Sequence, residues 1–152
     1  MESVTLVLPM PPSANRYWRR FLPKGHKRPV TVLSEEAKEY KSEVARIAFR
    51  FGVRAPLSGR VGVAYTLIPQ RPKDWQKRAR KDPEGWQDSI RCIDLDNSLK
   101  VLMDSLNGVV IDDDKWARKF IIERGEPEDV AKMIVTVYKI EKQQSPQQGL
   151  GI

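Results

Sequence analysis

The sequence predicts an α+β fold: a single domain in which a mixed β-sheet packs against two main helices, in the order β-α-β-α-β-β. Three observations predict it. The chain has 152 residues, the length of one domain, and one of this size buries roughly 70% of its unfolded surface without a staple. Apolar residues alternate with period two in some segments and recur at three and four in two others. Proline and glycine punctuate the boundaries between those segments. The composition narrows the class further. Cys92 is the only cysteine, which rules out a disulfide framework and a Cys-based zinc site, and His26 is the only histidine, which argues against His-rich metal sites and a His-based triad. No apolar run approaches the ~20 residues of a bilayer span, and the opening MESVTLVLPMPP lacks the basic region of a signal peptide. Lys plus Arg is 27 against 20 Asp plus Glu, a net charge of +7, and that excess favours a polyanionic partner.

Residues 3–8 alternate around Val4, Leu6 and Leu8 and predict a strand. Pro9, Pro11 and Pro12 stop it, since proline donates nothing to a ladder. Residues 13–31 read as a basic loop, with Arg16, Arg19, Arg20, Lys24, Lys27 and Arg28 and no acid between them. Ser34 is a good N-cap, and Glu35 and Glu36 favour the first turn of a helix. Ala37, Tyr40, Val44, Ile47, Ala48 and Phe51 form its apolar stripe, and Gly52 is placed to end it. Residues 60–68, RVGVAYTLI, predict a buried strand ending at Pro69. Residues 70–91 carry seven cations, four acids, Trp75 and Trp86 without a core-facing period. They read as a long basic loop with one helical turn at 73–81, and a loop of that length is usually functional or disordered.

Helical order returns over residues 95–107, with Leu95, Leu99, Leu102, Met103 and Leu106 as the buried stripe and Asn107-Gly108 as the stop. Val109-Val110-Ile111 reads as a short strand interrupted by Asp112-Asp113-Asp114. Two further strands are predicted over 116–124 and 132–140, joined by a turn around Gly125 and Pro127. The globular unit is therefore 1–142. The tail 143–152, QQSPQQGLGI, has few large apolar residues and is expected to be disordered.

Two acidic groups carry the candidate chemistry. Asp94-Leu95-Asp96-Asn97 opens the second helix and is followed by Lys100, one turn below Asp96 on the same face. The second group, Asp112 to Asp114, follows an apolar run. Carboxylates crowded together repel, and a hard divalent cation relieves that repulsion; oxygen donors alone select Mg²⁺ or Mn²⁺ over Zn²⁺. The bland reading is a helix cap, a surface ion pair worth ~0.3–0.5 kcal/mol and an ordinary turn. By spacing alone the two readings are near even. Basic loops beside the acids tilt the balance toward metal-dependent phosphodiester chemistry.

The stretch DLDNSLKVLMDSLNGVVIDDD resembles the signature of the RusA family of Holliday-junction resolvases: Asp-Leu-Asp-Asn, Lys, Asp-Ala-Leu-Asn-Gly, an apolar strand and Asp-Asp. LPMPPSANRYWRR is similar to that family's opening. The resemblance covers about residues 3–140. It implies a homodimeric, Mg²⁺-dependent endonuclease that cuts four-way DNA junctions in paired, symmetric positions. Carried over residue by residue, the catalytic positions are Asp94, Asp96, Lys100 and Asp113. Asp94, Asp96 and Asp113 hold Mg²⁺ (with Mn²⁺ as the alternative), and Lys100 touches the scissile phosphate or leaving oxygen. The family shows two acids where this chain has three, so Asp112 and Asp114 are alternatives to Asp113. Asp104 matches a recurrent family acid and faces either the same pocket or solvent. Such proteins are common in phages and prophages, which implies the cytoplasm of a bacterium or a phage-infected host.

The DNA contacts expected are Arg16, Arg19 and Arg20 in the N-terminal loop and Lys73, Lys77, Arg78 and Arg80 in the insertion. Tyr17, Trp18 and Phe21 are expected to supply core or dimer packing, while Trp75 and Trp86 anchor the insertion. Cys92 reads as a small buried residue rather than a nucleophile, because no activating base lies near it. Two other classes remain open on the residues alone. One is a non-catalytic nucleic-acid-binding protein with a structural ion. The other is a phosphohydrolase of small nucleotides, which the missing Gly-rich phosphate loop disfavours.

Overall fold

The structure, a computed structural model, describes residues 2–142; the tail expected to be disordered lies outside the described residues. The chain runs β1 (Ser3–Leu8), α1 (Ala14–Tyr17), β2 (Trp18–Phe21), β3 (Val30–Leu33), α2 (Glu35–Arg50), β4 (Val61–Ile68), α3 (Trp75–Lys81), α4 (Leu95–Leu106), β5 (Ala117–Arg124) and β6 (Lys132–Lys139). Four strands form the main sheet in the order β1-β6-β4-β5, and β2 and β3 form a separate two-stranded ribbon. β6 pairs antiparallel with both β1 and β4, whereas β4 and β5 are parallel. The sheet is therefore mixed, and its skeleton β1-α2-β4-α4-β5-β6 is the predicted order.

Alternation places Val4, Leu6 and Leu8 of β1, Val63, Tyr65 and Leu67 of β4, and Met133, Val135 and Val137 of β6 in one core. Helices α2 and α4 cover that face through Tyr40, Val44, Leu102 and Leu106. In α2, the Ser34 hydroxyl accepts the Ala37 amide at 3.1 Å, and Gly52 takes the positive φ of 97° that ends the helix. Phe51, predicted in the stripe, is half exposed instead, because it is the C-cap and its side chain has left the buried face. In α4, Leu95 and Leu99 are only partly buried, and Val101, Leu102, Met103 and Leu106 form the deeper contact. Gly62 is required by close approach: a Cβ there would lie 2.2 Å from the Tyr138 ring.

Parallel neighbours need a crossover, and α4 is the crossover between β4 and β5. A crossover helix runs back along the strands it joins. The Tyr65 hydroxyl meets the Ser98 hydroxyl at 2.7 Å, and Tyr65 is the fifth of the eight residues of β4. The chain leaving α4 returns to the near end, where Leu57 bridges Ile111 and Val61 pairs with Ala117.

Three expectations are corrected. Residues 13–31 are not a loop: they contain α1, β2 and the start of β3, because WRRF and VTVL pair across a turn at Pro23–His26. Val109-Val110-Ile111 is a turn with single bridges rather than a strand; its amides at 109, 110 and 111 all bond back to Leu106 O, which ends the helix and leaves none for a ladder. In the insertion 70–91 the helical segment expected at 73–81 is found as α3, but the rest is not all loop. The insertion holds the seven-residue α3 and a 3-10 turn at Trp86–Ser89. Trp75 and Trp86 pack on each other at 5.7 Å between ring centres, the anchoring role expected of them.

Candidate functional site

Asp94 is the N-cap residue of α4, yet its carboxylate caps no amide. Only its carbonyl is used, accepting from Ser98 at 2.9 Å. Asp96 sits in the first turn and is exposed, as is Lys100 one turn on. This is the polar edge that the spacing predicted. Sequence reasoning missed what holds it: Ser98, fully buried, bonds both Leu95 O and the Tyr65 hydroxyl at 2.7 Å. A hydroxyl pair deep in the core thus fixes the rotation of α4 and keeps Asp96 and Lys100 outward. The hint was a serine one turn from a leucine stripe, opposite a tyrosine in an apolar strand.

Asp104, two turns below Asp96, faces neither the same acids nor open solvent. It accepts the Tyr17 hydroxyl and pairs with Lys41 at 3.4 Å. Tyr17 is correspondingly fully buried, with Trp18 edge-on to it at 4.6 Å. Burial first, then the Asp104 hydrogen bond, raises the Tyr17 pKa, so the phenol remains a donor. Tyr17 is therefore core, not a dimer contact, and Trp18 is its packing partner; Phe21 is the aromatic left exposed.

In the second group, the Asp113 carboxylate accepts the Lys115 amide at 3.0 Å and caps a 3-10 turn over Asp114–Trp116. That hydrogen bond, followed by one shared with Asp114, holds Asp113 below the usual carboxylate range. Asp114 is pushed above it, chiefly by the bond shared with Asp113, then by slight burial and the Asp113 charge; Lys115 opposes this, and Asp104 adds a smaller push. This turn follows α4 in the chain. Asp112 is exposed.

The donor types fit a hard divalent cation: all are carboxylate oxygens, and Asp94 and Asp96 have no hydrogen-bonding partner among the described residues. Among the described residues of one chain, these carboxylates are not gathered into one cluster. Asp96 and Asp104 are eight residues apart on α4, a rise of about 12 Å, and the Asp112–Asp114 turn follows in the chain after the helix has ended at Leu106. Along the sheet, the four residues from Val61 to Tyr65 span about 13 Å. Ligands of one Mg²⁺ lie about 2.1 Å from it. Among the described residues, no three Asp, Glu, His or Cys side chains converge on such a point.

The cations expected to meet DNA are placed as follows. Arg19 and Arg20 are exposed on β2. Arg16 pairs with Glu36 at 2.9 Å, so part of its charge is already answered. On or beside α3, Lys73, Lys77 and Arg80 are exposed, while Arg78 pairs with Asp74 at 2.9 Å and bonds Ser89. Cys92 is half-buried, and burial pushes its thiol pKa up, as expected of a packing residue. No helix among the described residues is long and apolar enough to cross a membrane.

Comparison with known proteins adds one positive finding. A family model described as Endodeoxyribonuclease RusA matches residues 9–138. None of the curated proteins matches.

Proposed function

Because the chain belongs to the RusA family of endodeoxyribonucleases, we propose that it resolves four-way DNA junctions by paired, symmetric hydrolysis of phosphodiesters. The observation that carries this reading is the family match, which spans both the N-terminal basic segment and the acidic motif. We assign Asp94, Asp96 and Asp113 as the carboxylates that would hold Mg²⁺ or Mn²⁺, with Asp112 and Asp114 as alternatives to Asp113. A hard cation so held lowers the pKa of bound water and shields charge on a phosphoryl oxygen. Lys100, exposed and unpaired among the described residues, supplies a cation to the developing charge. The expected setting is the cytoplasm of a bacterium or phage-infected host.

The separation of the acids supports a homodimer whose sites are each shared between two chains. In a two-fold arrangement that runs α4 antiparallel to its copy, the Asp94–Asp96 end of one chain lies beside the Asp113 end of the other. Two such sites follow from one axis, and C₂ is the commonest symmetry of oligomers. A four-way junction offers two equivalent strands, and two sites on one face match it.

The function is tested by incubating the protein with a four-way junction and with linear duplex of the same sequence, with and without Mg²⁺. Paired nicks in the junction only, and only with Mg²⁺, are expected. Binding without cutting under every condition would favour the non-catalytic reading. A second expectation concerns affinity. Each arginine that meets a phosphate adds about 0.9 to the slope of log affinity against log salt. Replacing Arg16, Arg19 and Arg20 by Ala should flatten that slope by about 2, with Arg16 contributing least because Glu36 competes for it. An unchanged slope places DNA on another face.

A further inference from the structure

The β2–β3 ribbon is firm at its root and uncovered at its tip. At the root, the Ser34 amide donates to Tyr17 O at 3.0 Å and the Ser34 hydroxyl to Arg16 O at 2.6 Å. Tyr17 is fully buried and bonded to Asp104 on α4. A two-stranded hairpin alone is marginal in water; this one is planted on the edge of the helix that carries Asp96 and Lys100. Four residue pairs lead outward, from Trp18–Leu33 to Phe21–Val30. Phe21 is 39% and Leu22 59% exposed, two adjacent large apolar side chains in water. Around them stand Arg19, Arg20, Lys24, Lys27 and Arg28, with no acid anywhere from residue 13 to 34. The Arg19 guanidinium lies 5.0 Å from the centre of the Phe21 ring. A second copy of the same tip would set cations against cations, so the charge favours a polyanion.

We propose that the Phe21–Leu22 tip is a wedge that enters the base stack at the branch point of the DNA, while the ribbon cations hold the flanking phosphates. Apolar side chains inserted between base steps unstack and bend DNA, and aromatic rings replace the lost stacking. A branch point is where stacking is already interrupted, so insertion there is less costly than in continuous duplex. The ribbon thereby distinguishes junction from duplex, whereas phosphate contacts alone do not. The inference rests on the branched-DNA reading above and adds the element that selects the branch.

The experiment uses a four-way junction with 2-aminopurine at the crossover, a base analogue that brightens when unstacked, bound in the absence of divalent cations. Wild-type protein should raise the fluorescence and bind the junction more tightly than linear duplex. The double variant Phe21→Ser, Leu22→Ser should keep the salt slope of junction binding, lose the fluorescence rise, and lower the junction-to-duplex affinity ratio at least about fivefold, the scale of one lost base stack. Phe21→Trp should keep both signals. Because both residues are exposed, the serine variant should melt with the wild type. Retention of both signals in the serine variant would overturn the proposal. So would a change in its sedimentation, which would assign the tip to a contact between copies. Wild-type protein that neither prefers nor cuts the junction would fail the branched-DNA reading itself, a result separable from loss of the wedge alone.

Discussion

Asp96→Asn should abolish cutting and leave junction binding intact or slightly tighter. Asp96 lies exposed in the first turn of α4 without a side-chain partner among the described residues, so the amide fits the same space and breaks none of their contacts. The cost to the fold is the lost favourable interaction of an anion with the helix N-terminus, about 0.3–1 kcal/mol. A domain of this size has about 5–15 kcal/mol in hand, so the variant stays folded. What disappears is a carboxylate oxygen for a cation, and removing one group that stabilises the transition-state charge costs about 10²–10³-fold in rate. Binding moves the other way, because one negative charge is removed beside a polyanion. The measurement is single-turnover cleavage alongside equilibrium binding of the same junction. Wild-type cleavage by this variant would remove Asp96 from the metal assignment.

The parts of the fold that read cleanly from sequence are those where local chemistry and tertiary demand coincide. Ser34 with Glu35 and Glu36, and Gly52 after the apolar stripe, each dictate a helix end that packing also uses. The strands at 3–8 and 132–139 alternate because one face is buried, and 61–68 is apolar nearly throughout because it is buried along most of its length. The misread segments are those where period and partner conflict. VTVL is β-prone, but its partner WRRF carries two arginines and no burial period, because the ribbon is solvated on most of its surface. Val109-Val110-Ile111 has strand composition, but its backbone donors are consumed by Leu106 O, and composition records side chains rather than where amides point.

The candidate site was legible as residue types and not as a place. Asp96 and Lys100 are exposed one turn apart on α4, as their spacing predicts, with Asp94 exposed at its N-cap. The Ser98–Tyr65 and Asp104–Tyr17 bonds that orient this helix join residues 33 and 87 apart in sequence, beyond any local period. The distance between the two acid groups is likewise a property of the parallel pairing of β4 and β5. Once those strands are parallel, the crossover helix must separate its entrance from its exit, whatever residues sit at either end.

That separation leads to the sharpest expected result, obtained by mixing two inactive proteins. One carries Asp96→Asn; the other carries Asp113→Asn, with Asp112 and Asp114 changed in parallel versions to fix the third acid. Each alone should be dead, since every site in either homodimer lacks one carboxylate. In a mixed dimer with shared sites, one site combines both mutant ends and the other combines both intact ends. Subunit exchange should therefore restore nicking, at single sites only, in the mixed half of the dimers. If each site lay within one chain, both sites of the mixed dimer would remain broken and no activity would return. The reciprocal mixture sharpens the contrast. A chain bearing both changes, combined with wild type, should poison both shared sites of the mixed dimer, whereas sites within single chains would leave one working. A second readout is independent of cutting. Ions bridging the chains bind the dimer and not the separated monomers, so Mg²⁺ should tighten dimerisation measured by sedimentation, and Asp96→Asn should blunt that effect. Activity confined to the double-mutant and wild-type mixture, with dimerisation indifferent to Mg²⁺, would return the acids to a single chain and require α4 and the Asp112–Asp114 turn to close on each other when DNA binds.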